Sequence, residues 1–368
     1  MSVGWAILSC GDFADSRGAP GINQAEGGKL VAVHSRDRGR AEAFSEKHGA
    51  GTAYTTVEDV LADSRIDAVY ITSPNHLHVQ YATMAANAGK HVLVEKPLSL
   101  NMAEGIEVLR VARERGVKLG VGMHLRHHPG HIEAQRLIAD GALGTVALAQ
   151  SQIGQGERGN VHPEPRAGLR DWWTHPELVG GAFAMLTIGV HAIDDLQFLL
   201  GQQVVELAAI TDGQTSEQPL ENLATMCLRF DGGAIGTMIC GMRLPEFQND
   251  VAIHGSDGKV MLINASWPRL QGELRVSSET LNKTVTYEPD FVYLVTKNIE
   301  DFQRAIAEDR DPAASGMHGL KLVQLTEGMV ESAKTGRTVK LEVLCADSSR
   351  SLVKKGVPKL EFLVERDR

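Results

Sequence analysis

The chain has 368 residues, of which 43% are hydrophobic, 23% charged and 5% aromatic, a balance that excludes wholesale disorder and a fibrous architecture. At roughly 100–200 residues per domain the length suggests two domains. The 46 Asp and Glu outnumber 37 Lys and Arg, a formal charge of −9, so the basic surface of a nucleic-acid binder is not expected; nor does any run approach the ~20 apolar residues of a membrane span.

In chain order, apolar runs at 5–8, 30–33, 68–71, 92–94 and 117–121 have the continuous hydrophobic character of parallel strands covered on both faces. Helical patterns lie between them. One spans 38–48. A second, 76–88, follows Asn75 as a cap and stops at Gly89. A third, 101–115, starts with Asn101 and Glu104 at capping-box spacing and stops at Gly116. Strand–helix alternation of this kind predicts a doubly wound α/β domain over 1–124, because parallel strands need helical crossovers.

Beyond about residue 125 the rhythm changes. A helix at 131–139 and a strand at 146–153 precede a polar stretch rich in Gly, Pro and Arg, from 154 to 175. Hairpins are expected where 223–230 and 234–240 flank Asp231-Gly232-Gly233, and where 251–254 and 259–263 flank residues 255–258. The pattern over 319–334 is again helical, with Leu322, Leu325, Met329 and Ala333 on one face. These segments predict a sheet-rich second domain over 125–341, its last helix packing back toward the first, and a tail over 342–368. The start of the chain carries no basic region or cleavage site, and Cys10, Cys227, Cys240 and Cys345 show no metal spacing. Both point to a reduced, cytoplasmic protein.

Ser9-Cys10-Gly11-Asp12-Phe13-Ala14 follows the first strand. Against G-x-G-x-x-G/A, Ser9, Gly11 and Ala14 occupy the three glycine positions of a dinucleotide loop. Gly11 lets backbone approach a pyrophosphate and Ala14 permits close helix packing, whereas Ser9 has fewer backbone options than glycine. The second strand ends in Ser35-Arg36-Asp37-Arg38, where an NAD-selecting fold carries an acidic residue for the ribose hydroxyls. A hydroxyl and a planar cation suit a 2′-phosphate instead, with Arg38 and Arg40 adding potential, so NADP(H) is expected over NAD(H). The plainer alternative makes these arginines a solvated helix start, with Asp37 its cap.

Ser73-Pro74-Asn75 with His78, and Glu95-Lys96-Pro97, follow the next two strands, at the carboxyl ends where ligands bind in such sheets. Lys96 is placed to polarise a substrate oxygen and Glu95 to bond a ribose. These elements, S-C-G-D-F-A, S-P-N-H-L-H and V-E-K-P-L-S, together with Gly180-Gly181-Ala182, His191-Ala192-Ile193-Asp194 and the closing Glu331-Ser332-Ala333, resemble the Gfo/Idh/MocA oxidoreductase family up to about residue 341.

The resemblance implies a Rossmann domain followed by an α/β domain on an open, mostly antiparallel sheet, a cis Lys96–Pro97 bond, and a homodimer or homotetramer. It assigns Lys96 to substrate and nicotinamide ribose, His191 to acid/base work and Trp172 to the nicotinamide. It implies hydride transfer between NADP(H) and a secondary alcohol or carbonyl of a sugar, polyol or related cyclic alcohol. Thr187 stands four residues before His191, where many members carry Asp. Two other readings keep the fold: a non-catalytic NADP(H)-responsive regulator, and a glycosidase that retains its nicotinamide.

Four histidines between 124 and 131 invite a metal reading, but Pro129-Gly130 interrupts the helix and no acid or thiol completes the set. His124 and Arg126 are instead expected to line the substrate cleft, with Arg166 and His175 as further substrate contacts.

Overall fold

The computed structural model describes residues 2–159, 168–266 and 270–344 and divides into two compact units. Unit 1 comprises Met1–His124 and Asp290–Val323, and unit 2 comprises Leu125–Pro289 and the chain from Gln324 onward.

Unit 1 is built on β1 (Val3–Leu8), β2 (Gly28–His34), β3 (Thr52–Tyr54), β4 (Ala68–Ile71), β5 (His91–Val94) and β6 (Leu119–Val121), all parallel, in the order β3-β2-β1-β4-β5-β6. Helices α1 (Ala19–Gln24), α2 (Arg38–His48), α3 (Val57–Ala62), α4 (His78–Asn87) and α5 (Met102–Glu114) connect them. Every residue of β1 and β4 is buried, as strands covered on both faces must be. The strand order reverses between β1 and β4, so the ligand crevice of the fold opens beyond Leu8 and Ile71. Residues 290–323 belong to this unit, although a boundary read from sequence at 125 left them in the second. The reason is apolar burial: Val295, Ile299 and Phe302 recur at helical spacing on a helix, Phe291–Ala307, and join Trp5, Tyr70 and Leu93 in one core. Phe302 lies 5.6 Å from the Trp5 ring, and the Trp5 indole donates to Gln303 at 3.1 Å.

Unit 2 carries a nine-stranded sheet. Its strands are β7 (Val146–Gly154), β8 (Val204–Thr211), β9 (Leu223–Phe230), β10 (Ile235–Gly241), β11 (Val251–Gly255), β12 (Gly258–Ile263), β13 (Gly272–Ser278), β14 (Asn282–Tyr287) and β15 (Val339–Lys340). The order is β14-β13-β12-β11-β7-β10-β9-β8-β15, antiparallel throughout except where β7 runs parallel to β10. Both expected hairpins are present. Along β9, Ala224, Met226, Leu228 and Phe230 are buried while Thr225, Cys227 and Arg229 face outward. The covered face packs on α6 (Pro129–Ala139) and α8 (Val190–Leu200); a short α7 (Pro176–Val179) precedes the latter. With Phe291–Ala307 as α9, the last helix is α10 (Gly316–Thr335). Gly319 of α10 packs on Leu98 and Val121 in unit 1, and Gly328 on Leu207 and Leu341 in unit 2. Among the described residues no helix is long and apolar enough to cross a membrane.

Candidate active site

The loop after β1 turns at Ser9, whose φ is +83°, the left-handed region that favours glycine. The Ser9 carbonyl accepts from Gly11 N at 3.0 Å and from Thr72 Oγ1 at 2.8 Å, which ties the ends of β1 and β4 together. A Cβ built on Gly11 meets no atom within 4 Å, so the glycine leaves an open cradle at the crevice, and Ala14 behind it is wholly buried. Asp12 is exposed. The Phe13 ring is turned onto the protein, stacked on His124 at 5.7 Å and edge-on to Tyr70 and Phe291. Cys10 donates to His34 O at 3.3 Å, and burial pushes its thiol up to about 12, which makes it unreactive.

At the end of β2, Asp37 caps α2, its carboxylate accepting from Arg40 N at 2.7 Å. Ser35 is buried, and its hydroxyl accepts from Asp37 N at 3.3 Å. The Asp37 carboxylate is therefore engaged with a helix. Arg36 and Arg40 are exposed, and among the described residues neither guanidinium has a hydrogen-bond or carboxylate partner. Arg38 reaches Ala53 O and Glu42. The Arg36 charge is felt at His76, whose pKa burial lowers and Arg36 lowers further.

Beyond β4, Ser73 and Asn75 are buried, Pro74 O accepts from Leu77 N, and Asn75 Nδ2 has no hydrogen-bond partner among the described residues. An unpaired buried amide is costly unless a ligand satisfies it. The open cradle at Gly11, the orphan amide of Asn75 and the unpaired cations at 36 and 40 fit a phosphorylated dinucleotide laid across the carboxyl ends of these strands.

Three residues expected to touch cofactor or substrate are engaged with the protein itself. His78 is wholly buried, with Nδ1 2.6 Å from Pro97 O and Nε2 2.9 Å from Ser73 O, so it joins the ends of β4 and β5. Glu95 faces inward: Tyr70 Oη donates to its Oε1 at 2.6 Å, and His124 Nε2 lies 3.3 Å from the same oxygen and 3.2 Å from the phenol. Burial pushes the Glu95 carboxyl up, but His124, Tyr70 and the Lys96 charge together outweigh it and its pKa is lowered. Glu95, expected to bond a ribose, and His124, expected to line the substrate cleft, here form a Tyr–Glu–His network next to Lys96 in the chain. The Lys96–Pro97 bond is cis.

In unit 2, Thr187 lies in a π-helical turn, Met185–Gly189, that runs directly into α8, and His191 is the second residue of that helix. Four residues apart, they share a face. His191 is buried and Thr187 partly so. Arg126, expected to line the substrate cleft, bonds Asp194 through Nε and Nη2 at 2.8 and 2.7 Å, a bidentate pair with both side chains buried. Asp195 is wholly buried, 3.2 Å from His131 Nδ1, and burial raises its pKa. His131 Nε2 lies 3.0 Å from Ala265 O and His128 Nε2 2.8 Å from Leu270 O, so these two imidazoles serve the fold. Burial pushes His128 down to about 3. Among the described residues no group of three His, Cys, Asp or Glu is arranged for a metal. Trp172 stacks on Trp173 at 4.5 Å, and His175 is exposed between Asp171 and Glu177. Arg166 lies outside the described residues. Tyr70 and Glu221, neither singled out by any motif, are the buried polar groups that sequence reasoning missed.

Residues 3–123 match the model of an oxidoreductase family with an NAD-binding Rossmann fold, and residues 131–261 match the GFO/IDH/MocA C-terminal domain. The chain belongs to the Gfo/Idh/MocA oxidoreductase family. Among Gfo/Idh/MocA relatives it is similar to the 1,5-anhydro-D-fructose reductase of Ensifer adhaerens, 28% identical over 92% of this chain and 98% of that protein. It is 30% identical to D-xylose 1-dehydrogenase (NADP(+)) 2 of Haloferax volcanii, over 87% and 94% of the two chains. The aldose-aldose oxidoreductase from Caulobacter crescentus, solved with glycerol, superposes with a TM-score of 0.81 at 25% identity, covering 93% of this chain and all of that one. This Gfo/Idh/MocA protein is accordingly an enzyme, an NAD(P)-binding oxidoreductase of the reductase and dehydrogenase type.

Proposed function

We propose that the enzyme is NADP(H)-preferring and interconverts a secondary alcohol and a carbonyl on a sugar, polyol or related cyclic alcohol. The observation that carries the cofactor reading is the pairing at the end of β2: Asp37 is engaged as a helix cap while Arg36 and Arg40 lack carboxylate partners among the described residues. The sugar reading draws on relatives named as reductases and dehydrogenases of sugars.

When bound, the dinucleotide supplies the hydride acceptor or donor. The backbone at Gly11 and the amide of Asn75 would hold its phosphate and ribose portion, and Ser35, Arg36 and Arg40 its 2′-phosphate. Lys96 stabilises the substrate oxygen while negative charge develops on it, an effect worth about 3 kcal/mol in a site closed to water. His191 takes the hydroxyl proton in oxidation or returns it in reduction, the acid/base work that an imidazole performs in both directions. Thr187 offers a hydroxyl to the same substrate region but no charge. The protein works as a cytoplasmic homodimer or homotetramer.

The test is NADPH and NADH binding by fluorescence, followed by turnover on a panel of sugars and polyols, for the wild type and Lys96→Ala. Tighter binding of NADPH, turnover on a panel member, and its loss in Lys96→Ala with cofactor binding kept are expected. Equal affinity for both cofactors, or a Lys96→Ala rate equal to wild type, overturns the corresponding part.

A further inference from the structure

Glu221 precedes β9 and is completely buried. Its Oε1 accepts from Phe183 N at 3.0 Å and Met185 N at 2.8 Å, and its Oε2 from Gln214 Nε2 at 3.1 Å. Its backbone carbonyl accepts from Ala184 N at 3.2 Å. Three consecutive backbone N–H groups therefore end on one residue 36 to 38 positions away in sequence. Helix starts leave such donors without partners inside the helix, and an adjacent Ser, Thr, Asp or Asn ordinarily satisfies them. Here neither Ala184 nor Gly189, the residues preceding the π turn and α8, supplies a side-chain cap.

We infer that Glu221 is a positioning residue for catalysis: it caps, from a distant loop, the helical run that carries Thr187 and His191, and fixes where both side chains stand. The inference rests on the reading of His191 as the acid/base group. A carboxylate held at the amino end of this run stands six to eight residues before His191, and its negative charge favours the protonated imidazole. The other ionisable groups around it come from neighbouring strands. Asp212, after β8, accepts from Asn222 N and Leu223 N and pairs with Arg243 Nε at 3.0 Å. The Cys240 thiol on β10 is pushed up by burial and by the Glu221 charge. Among the described residues no cation contacts the Glu221 carboxylate itself; burial raises its pKa, and the backbone N–H groups and Gln214 oppose that rise by bonding the charged form.

The experiment uses the full chain and Glu221→Gln, which keeps the shape and removes the charge. Three quantities are read: NADPH affinity by fluorescence, kcat on the best substrate of the panel, and the His191 titration by histidine NMR, assigned with His191→Gln. The expected result is unchanged NADPH affinity, kcat lower by about tenfold or more, and a His191 midpoint lowered by about half a pH unit or more. A folded Glu221→Gln enzyme with wild-type kcat and an unmoved midpoint overturns the inference. If the wild type turns over nothing on the panel, the functional reading fails on its own, and the His191 midpoint still decides the role of Glu221. If Glu221→Gln does not fold, Glu221→Asp carries the test: a shorter acid draws the helix start out of place, so kcat falls at least about threefold with NADPH affinity kept, and wild-type kcat overturns the inference.

Discussion

The phenol of Tyr70 donates a 2.6 Å hydrogen bond to the carboxylate of Glu95, the residue before Lys96, and both groups are buried. A charged acceptor makes this bond worth about 2 kcal/mol. The folded Glu95 has a lowered pKa, so the network stabilises the fold above the unfolded carboxyl value near 4.3, and that contribution is lost as pH falls through the lower folded value. Tyr70→Phe is therefore expected to cost about 2 kcal/mol in urea unfolding at neutral pH, and progressively less in acid. A penalty of the same size at neutral pH and well below pH 4 would remove the charge from this account.

Ser9 occupies a left-handed conformation that costs an ordinary residue about 1–2 kcal/mol. Glycine adopts it freely but loses more entropy on folding, about 0.5–1 kcal/mol. Since the contacts made here use the Ser9 backbone, Ser9→Gly is expected to stabilise the protein by about 0.5–1 kcal/mol, seen as a higher urea midpoint at constant slope, with dinucleotide affinity unchanged. A lower midpoint would mean that the serine hydroxyl matters to the loop.

The first unit was legible because buried parallel strands announce themselves as unbroken apolar runs, and Asn101 does cap its helix, accepting from Glu104 N at 2.9 Å. What escaped were elements without that signal. β3 and α3 are short, and α9 is amphipathic with its buried stripe against strands nearly three hundred residues earlier in the chain. The site divides the same way. Gly11 and Asp37 act through local backbone geometry, and sequence pattern reaches them. For Glu95, His124 and Arg126 nothing local reveals the internal partners: Tyr70 is 54 positions from His124, and Asp194 is 68 from Arg126. Polar groups that find partners only through tertiary folding are not legible in spacing.

Gly11 presents open space where a side chain would be, and its φ lies outside the left-handed region, so alanine is sterically tolerated by the protein. Gly11→Ala is expected to unfold at the wild-type urea midpoint while losing at least about tenfold in NADPH affinity, because the added methyl enters the cradle needed for close approach of a pyrophosphate. Undiminished affinity would place the dinucleotide elsewhere.

The proposed preference for NADP(H) rests on Arg36. A charge-assisted hydrogen bond contributes about 1.5–3 kcal/mol, so Arg36→Ala is expected to weaken NADPH binding by about 10- to 100-fold and leave NADH binding within about twofold. Parallel fluorescence titrations compare the two. Equal losses for both cofactors would assign Arg36 to general electrostatic attraction rather than to a 2′-phosphate.

Arg126 and Asp194 form a buried bidentate pair that anchors α8, the helix of His191, with the guanidinium also over the Phe198 ring at 5.5 Å. Removing one partner leaves a buried charge alone, at a cost of about 3–5 kcal/mol, whereas replacing both with apolar residues of similar size is often close to neutral. Arg126→Met and Asp194→Leu are each expected to destabilise by about 3 kcal/mol, and the double variant to recover at least about 2 kcal/mol of their sum. Urea unfolding of all four proteins measures the coupling directly. Additive losses would mean that the two side chains act through packing alone, and that the ion pair does not hold α8 in place.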